Sequence, residues 1–255
     1  MTDSLKNFYA SLIPFYHLLY PDWEKSIKRQ ASMLNAIISE NWGDDNSKIL
    51  DAACGIGTQC LGLASLGYEV TASDLSPQAI ERAQFEASER NLSLSFSVAD
   101  MRSAYDHHAD QFDIVIACDN AIPHLLSDEE ILSAFRQFHA CTRPGGGCII
   151  TVRDYEKEEK TGQTTKVYGS REENGITYLI FQNWDWQGEL YNLSLYFIED
   201  EGKSQCKTHV MRSKYYAIGT NRLIELMISA GFQNVVRLDE EFFQPVIIGT
   251  RKAYR

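Results

Sequence analysis

The stretch Ile49-Leu50-Asp51-Ala52-Ala53-Cys54-Gly55-Ile56-Gly57-Thr58 constrains the fold more than any other part of the chain. Apolar residues lead into it, two glycines sit where the backbone must turn tightly, and Leu61, Leu63, Ala64 and Leu66 follow at helical spacing. It reads as a buried strand that runs into a tight turn and opens a helix. In doubly wound α/β folds a nucleotide-like ligand lies beside such a turn, outside the carboxyl end of the first strand. Asp74 ends the next strand-like run, Tyr68 to Ser73, where a carboxylate can accept hydrogen bonds from both hydroxyls of a ribose. A dinucleotide fingerprint needs a third glycine three positions beyond Gly57, and Cys60 stands there instead.

From Lys48 onward strands and helices alternate regularly. The pattern predicts strands over 48–53, 69–73, 94–98, 112–117 and 147–153, with helices over 57–66, 76–90 and 128–141. Ser76-Pro77 and Ser127 are helix-starting signals, and Pro144-Gly145-Gly146 marks a stop after the third of these helices. Between 166 and 217 the helices vanish. Ile176–Trp184, Glu189–Ile198 and Cys206–Tyr216 read as an antiparallel meander punctuated by Gln187-Gly188 and Asp200-Glu201-Gly202. A helix over 220–230 and strands over 233–238 and 246–251 complete the pattern. The expectation is an α/β, doubly wound, Rossmann-like seven-stranded sheet with a three-stranded antiparallel insertion. The chain divides into an aromatic lid and helix at 1–43, a core at 44–160 and 218–255, and the insertion at 161–217. Phe8, Tyr9, Phe15, Tyr16 and Tyr20 make that first segment a candidate cover over the ligand.

Charge narrows the function. With 35 acidic against 24 basic residues the net charge is −11, which disfavours nucleic acid and anionic membranes as partners. No charged leader with an apolar run opens the chain and no stretch of ~18 apolar residues occurs, so a soluble cytoplasmic protein is expected. The six cysteines form no C-x-x-C pair and have no histidine at ligand spacing; they read as reduced structural residues, with no metal site.

Candidate chemistry falls on strand ends. Asp100-Met101 follows the third strand, where a carboxylate can accept from an adenine amino group and a methionine can pack on the ring. After the fourth strand, Cys118-Asp119-Asn120-Ala121-Ile122-Pro123-His124 offers Asn120 as both donor and acceptor, and His124 as a ligand for a polar substrate or a proton shuttle. Arg153 leaves a buried Ile-Ile-Thr-Val run and needs a partner, either a protein carboxylate or the carboxylate of a substrate.

These residues together resemble the class I S-adenosylmethionine-dependent methyltransferases, and among them the glycine N-methyltransferase group. The resemblance rests on Asp51…Gly55-Ile56-Gly57, the Asp119-Asn120…Pro123-His124-Leu125 stretch, Arg143-Pro144-Gly145-Gly146-Gly147, Val152-Arg153-Asp154-Tyr155 and the aromatic start. It implies S-adenosyl-L-methionine as cofactor, S-adenosyl-L-homocysteine as product, and a small-molecule methyl acceptor. Cofactor contacts would come from Tyr16, Trp23 and Arg29, from Asp51, Ala53, Gly55 and Gly57, and from Asp74, Leu75, Asp100, Met101 and Cys118. Asp51 would offer a counter-charge to the cofactor's ammonium. Asn120 and Arg153, with His124 nearby, would hold a carboxylate-bearing amine such as glycine or sarcosine for N-methylation. The alternatives are O-methylation, methylation of a larger metabolite, a protein that binds S-adenosylmethionine without catalysis, and a nicotinamide-dependent oxidoreductase, which the missing glycine disfavours.

Overall fold

The computed structural model describes residues 3–45 and 47–253; positions 1, 2 and 46 and the last two of the chain, which the expected segments 1–43 and 44–160 and 218–255 include, lie outside the described residues. Helix α1 (Asp3–Leu12) passes into a 3-10 segment, Ile13–Leu19, and α2 (Trp23–Trp42) follows. Asp22 caps α2 by accepting from the Lys25 amide at 3.0 Å. The alternating portion comprises β1 (Lys48–Asp51), α3 (Thr58–Ser65), β2 (Glu69–Asp74), α4 (Pro77–Glu89), β3 (Ser95–Val98), α5 (Ala104–His108), β4 (Phe112–Ala117), α6 (Asp128–Cys141) and β5 (Thr142–Thr151). Then come β6 (Gln163–Glu173), β7 (Ile176–Gln187), β8 (Leu190–Asp200), β9 (Lys207–Tyr216), α7 (Thr220–Ser229), β10 (Gln233–Leu238) and β11 (Val246–Thr250).

The main sheet has seven strands in the order β10-β11-β5-β4-β1-β2-β3. Its strands are parallel except β11, which runs antiparallel to both β10 and β5. Parallel strands are covered on both faces, and β1 has the sequence this demands. Ile49 and Leu50 are both fully buried, yet they belong to different clusters. Leu50 packs with Val115, Phe135, Phe138 and Leu223 on one side; Ile49 packs with Ile114, Leu61, Leu34 and Ile38 on the other.

Two expectations need correction. The meander is a four-stranded antiparallel sheet, β6-β7-β8-β9, because Gln163–Glu173 pairs with β7 along its length. Pro144-Gly145-Gly146 does not precede the fifth strand but lies within β5. There Phe112 pairs with Thr142 and Ile114 with Gly147, so five residues of β5 advance against two of β4. That bulge absorbs the proline and glycines without ending the strand.

The second sheet turns one face inward, with Trp184, Tyr191, Leu193, Leu195 and Phe197 packed against Phe8 and Leu12 of α1. Sheet, first helix and the strand ends of the core thus converge on one region.

The cofactor-like turn is held in place by close packing of α3 on α2. A Cβ on Gly62 would lie 2.7 Å from both the Ile27 carbonyl oxygen and the Ala31 Cβ, so only glycine permits this approach. Gly62→Ala is expected to lower unfolding free energy by ~1–3 kcal/mol, the usual cost of overpacking. Urea denaturation checks this, and an unchanged midpoint would show that the helices can separate freely.

Candidate active site

The end of β1 delivers Asp51 to the turn. Its Oδ1 accepts a long hydrogen bond from the Ala53 amide at 3.3 Å, while its buried Oδ2 has no partner among the described residues. Burial raises the Asp51 pKa to about 7, against the pull of the Ala53 bond and with help from the neighbouring Asp74 charge. Asp74, at the end of β2, accepts from the Gly55 and Ser76 amides at 2.9 Å each, and burial raises its pKa as well. Gly55 has a positive φ of 53°, and its bare backbone lies against the Tyr16 ring.

Above this turn lies a cavity of about 440 Å³. It is lined by Ala52, Ala53, Gly55, Asp74 and Leu75 after β1 and β2, by Ala99, Asp100 and Met101 after β3, by Cys118 and His124 after β4, and by Tyr9 and Tyr16 of the N-terminal segment. A second cavity of about 290 Å³ lies beneath the four-stranded sheet, lined by Asn120, Arg153, Tyr168, Gln182, Tyr191 and Tyr215 among others. Tyr9, Tyr16 and Asp119 line both, so the cavities meet there.

The loop after β4 builds that junction. Asp119 and Asn120 both adopt left-handed backbone conformations, with φ of 53° and 68°. Such conformations are costly outside glycine, and here Thr151 supports them. Its side-chain oxygen accepts from the Asp119 amide at 2.7 Å, and its carbonyl accepts from the Asn120 amide at 3.1 Å. Asp119 accepts from the Tyr20 hydroxyl at 2.6 Å and from the Gln244 amide group at 3.2 Å, and burial raises its pKa. Asn120 accepts from the Arg153 backbone amide at 3.0 Å and donates to the Tyr155 hydroxyl at 2.9 Å. The half-buried Arg153 guanidinium sits over the Trp184 ring at 4.6 Å and hydrogen-bonds Tyr168. Among the described residues no carboxylate lies within 4 Å of it.

Residues 49–146 match the family model described as "Methyltransferase domain". Over 145 residues the chain is 26% identical to a glycine/sarcosine N-methyltransferase of Parasynechococcus marenigrum, covering 57% of this chain and 50% of that protein. The chain thus spans about half the length of that relative. It is 25% identical over 218 residues to the putative methyltransferase YqeM of Bacillus subtilis, covering 85% and 81% of the two. Streptomyces venezuelae DesVI shares the fold with a TM-score of 0.80 at 17% identity, over 93% of this chain and 97% of that one. The chain carries a methyltransferase domain over residues 49–146.

The methyltransferase domain fits its cofactor at the buried carboxylates. Asp51 is not among the residues that line either cavity, but its unpartnered Oδ2, just behind the lining Ala52 and Ala53 in the chain, leaves an acceptor for an ammonium, and Asp74 in the lining retains lone pairs for a ribose diol. Of the residues named for the cofactor from the sequence, Tyr16, Ala53, Gly55, Asp74, Leu75, Asp100, Met101 and Cys118 line the first cavity. Asp100 is less available than its position suggested, since Arg102 holds its Oδ2 at 2.6 Å and takes its Oδ1 through the backbone amide at 2.9 Å.

Other candidates fall elsewhere. Trp23 donates to Thr58 at 2.8 Å and packs under Arg82 and Arg90, outside both cavities. Arg29 lines the second cavity and not the first. Gly57 starts α3 with a φ of 102°, and a Cβ there would strike Leu61 at 2.8 Å, so its role is in packing. His124 lines the first cavity, where burial lowers its pKa to about 3. A ring this hard to protonate does not suit a proton shuttle; it bonds the Tyr9 hydroxyl at 2.7 Å instead. Sequence reasoning named Tyr9 and Tyr20 only as part of the aromatic cover and Asp119 only beside Asn120, and did not single out Tyr168 and Gln182. Tyr168 and Gln182 had no sequence signal of their own, since they lie in β6 and β7 without a motif around them.

The Asp51 environment predicts proton release on cofactor binding. At pH 6 a carboxyl with a pKa of about 7 is mostly protonated. A bound ammonium favours the ionised form, so a proton leaves. Titration calorimetry of S-adenosylmethionine in buffers of different ionisation enthalpy is expected to report release of a substantial fraction of a proton at pH 6 and little at pH 8.5. In Asp51→Asn the release disappears. Because the folded pKa exceeds the unfolded value of ~3.9, the ligand-free protein also loses stability as pH rises from ~4 to 7. Calorimetry that is identical in every buffer would refute the assignment.

Proposed function

We propose that this protein transfers a methyl group from S-adenosylmethionine to the nitrogen of a small amine bearing a carboxylate, of which glycine and sarcosine are the simplest. The observation that carries this reading is the Arg153 guanidinium, which lines the second cavity with no described carboxylate within 4 Å of it, although the Asp119 charge acts on it from the same cavity. A planar guanidinium backed by Trp184 and Tyr168 suits a bidentate carboxylate. The similarity to a glycine/sarcosine N-methyltransferase is in keeping with it.

The remaining groups suit orientation more than acid–base work. Burial raises the pKa of Tyr9 and of Tyr16, so both remain neutral phenols that can hydrogen-bond an amine at the junction. Asp119 adds a negative charge beside the nitrogen's position, and its raised pKa suits it to accept a proton. Asn120 fixes the Arg153 backbone and the Tyr155 hydroxyl together. The cofactor supplies an electrophilic methyl on a sulfonium. An amine held at the junction would take that methyl on its lone pair, the sulfur would be left as a neutral thioether, and the surplus ammonium proton would pass to Asp119 or water. Orientation of this kind can be worth ~7–11 kcal/mol.

Labelled-methyl transfer tests the reading on a panel of amino acids, simple amines and phenols. Turnover is expected on carboxylate-bearing amines. Arg153→Ala is expected to lower kcat/KM for them by about 30-fold or more, the effect of removing ~2 kcal/mol of charge pairing, while S-adenosylhomocysteine affinity changes by less than about threefold. Label found only on phenols would favour O-methylation and remove the carboxylate clamp.

A further inference from the structure

The second cavity offers more than a carboxylate clamp. At about 290 Å³ it has the liquid volume of roughly ten waters, several times what a carboxylate and an amine nitrogen fill. Its walls also include Phe8, Leu12 and Leu19 from the N-terminal segment and Leu193 and Leu195 from β8. Phe8, Leu12, Leu193 and Leu195 are at most 4% exposed and belong to one apolar cluster. Each presents only a small part of its surface to the cavity, and a glycine-sized acceptor on Arg153 would leave most of the volume beside them to water.

We infer that the acceptor is an amine carboxylate with an apolar side group, and that Phe8, Leu12, Leu193 and Leu195 select for that group. This rests on the carboxylate-amine reading above and narrows it. The Arg153 end fixes the carboxylate, the junction at Tyr9, Tyr16 and Asp119 faces the nitrogen, and the leucine-lined wall receives the side group. Glycine and sarcosine are then poor substrates because they leave the wall uncovered.

The test compares kcat/KM for methyl transfer to glycine, alanine, norvaline, leucine and phenylalanine, with isoamylamine as the carboxylate-free counterpart of leucine. A single methylene in an apolar pocket is worth ~10–200-fold in specificity, so leucine or norvaline is expected to exceed glycine by tenfold or more. Leu195→Phe, which fills the cavity, is expected to shrink the leucine-to-glycine ratio by at least tenfold. Glycine used as well as leucine overturns the inference and leaves the carboxylate reading standing, as does a leucine-to-glycine ratio that Leu195→Phe does not change. Methylation of isoamylamine at the rate of leucine removes the carboxylate reading, and the inference with it.

Discussion

Three carboxylates are kept from water at the carboxyl ends of neighbouring strands, and their unequal compensation organises the site. The strand order places β4, β1 and β2 side by side, so Asp119, Asp51 and Asp74 emerge in one row. Burying a charge is costly unless it is paired or hydrogen-bonded. Asp74 is offset by two short amide bonds, and Asp119 by a phenol and an amide group. Among the described residues Asp51 has only one long bond, and it is the group whose pKa burial lifts to about 7. The protein alone therefore leaves Asp51 the least satisfied, and a cationic ligand group is what the arrangement lacks.

The second cavity depends on backbone strain where the first depends on charge. Two consecutive non-glycine residues in the left-handed region cost of order 1–3 kcal/mol each, and they persist only where the surroundings enforce them. Thr151, at the end of β5, supplies that enforcement through both its side chain and its carbonyl. The reward is direction. Asp119 reaches the junction, while Asn120 reaches across to Arg153 and Tyr155 on the chain that follows β5. A relaxed loop would lose the tie between the β4 and β5 ends, and Arg153 would no longer be set by the same contacts.

What was legible in the sequence follows from where the information is local. Asp51, Asp74 and Asp100 could be found because each ends a run of strand residues, and the parallel sheet brings such ends together. β6 was hidden because Gln163–Glu173 carries little apolar residue alternation and shifts register between Val167 and Gly169. With it went Tyr168, whose hydroxyl meets both Gln182 and Arg153. Trp23 and Arg29 were misplaced for a different reason. Which way each residue of α2 points depends on how that helix packs on α3, and the Gly62 approach that sets this lies far along the chain. Among the insertion tyrosines no spacing separates Tyr191 and Tyr215, which line the cavity, from Tyr196, which stacks on Phe181.

The division of labour between the parts explains why the N-terminal segment matters beyond packing. The core's strand ends supply a floor with the acids, but no roof. Tyr9 and Tyr16 line both cavities, and that segment is tied at both sides: Tyr9 to His124 and Tyr20 to Asp119 on the core, His17 to Glu173 and the Tyr20 carbonyl to Arg171 on the small sheet. The first cavity is therefore lined mainly by the core, and the second jointly by the N-terminal segment, the small sheet and the core. Substitutions on the inner face of the small sheet can reshape the second cavity without touching Asp51 or Asp74. A low-identity relative can then keep the row of carboxylates while its acceptor pocket differs, which is why the matched methyltransferase domain, ending at residue 146, carries little information about the acceptor.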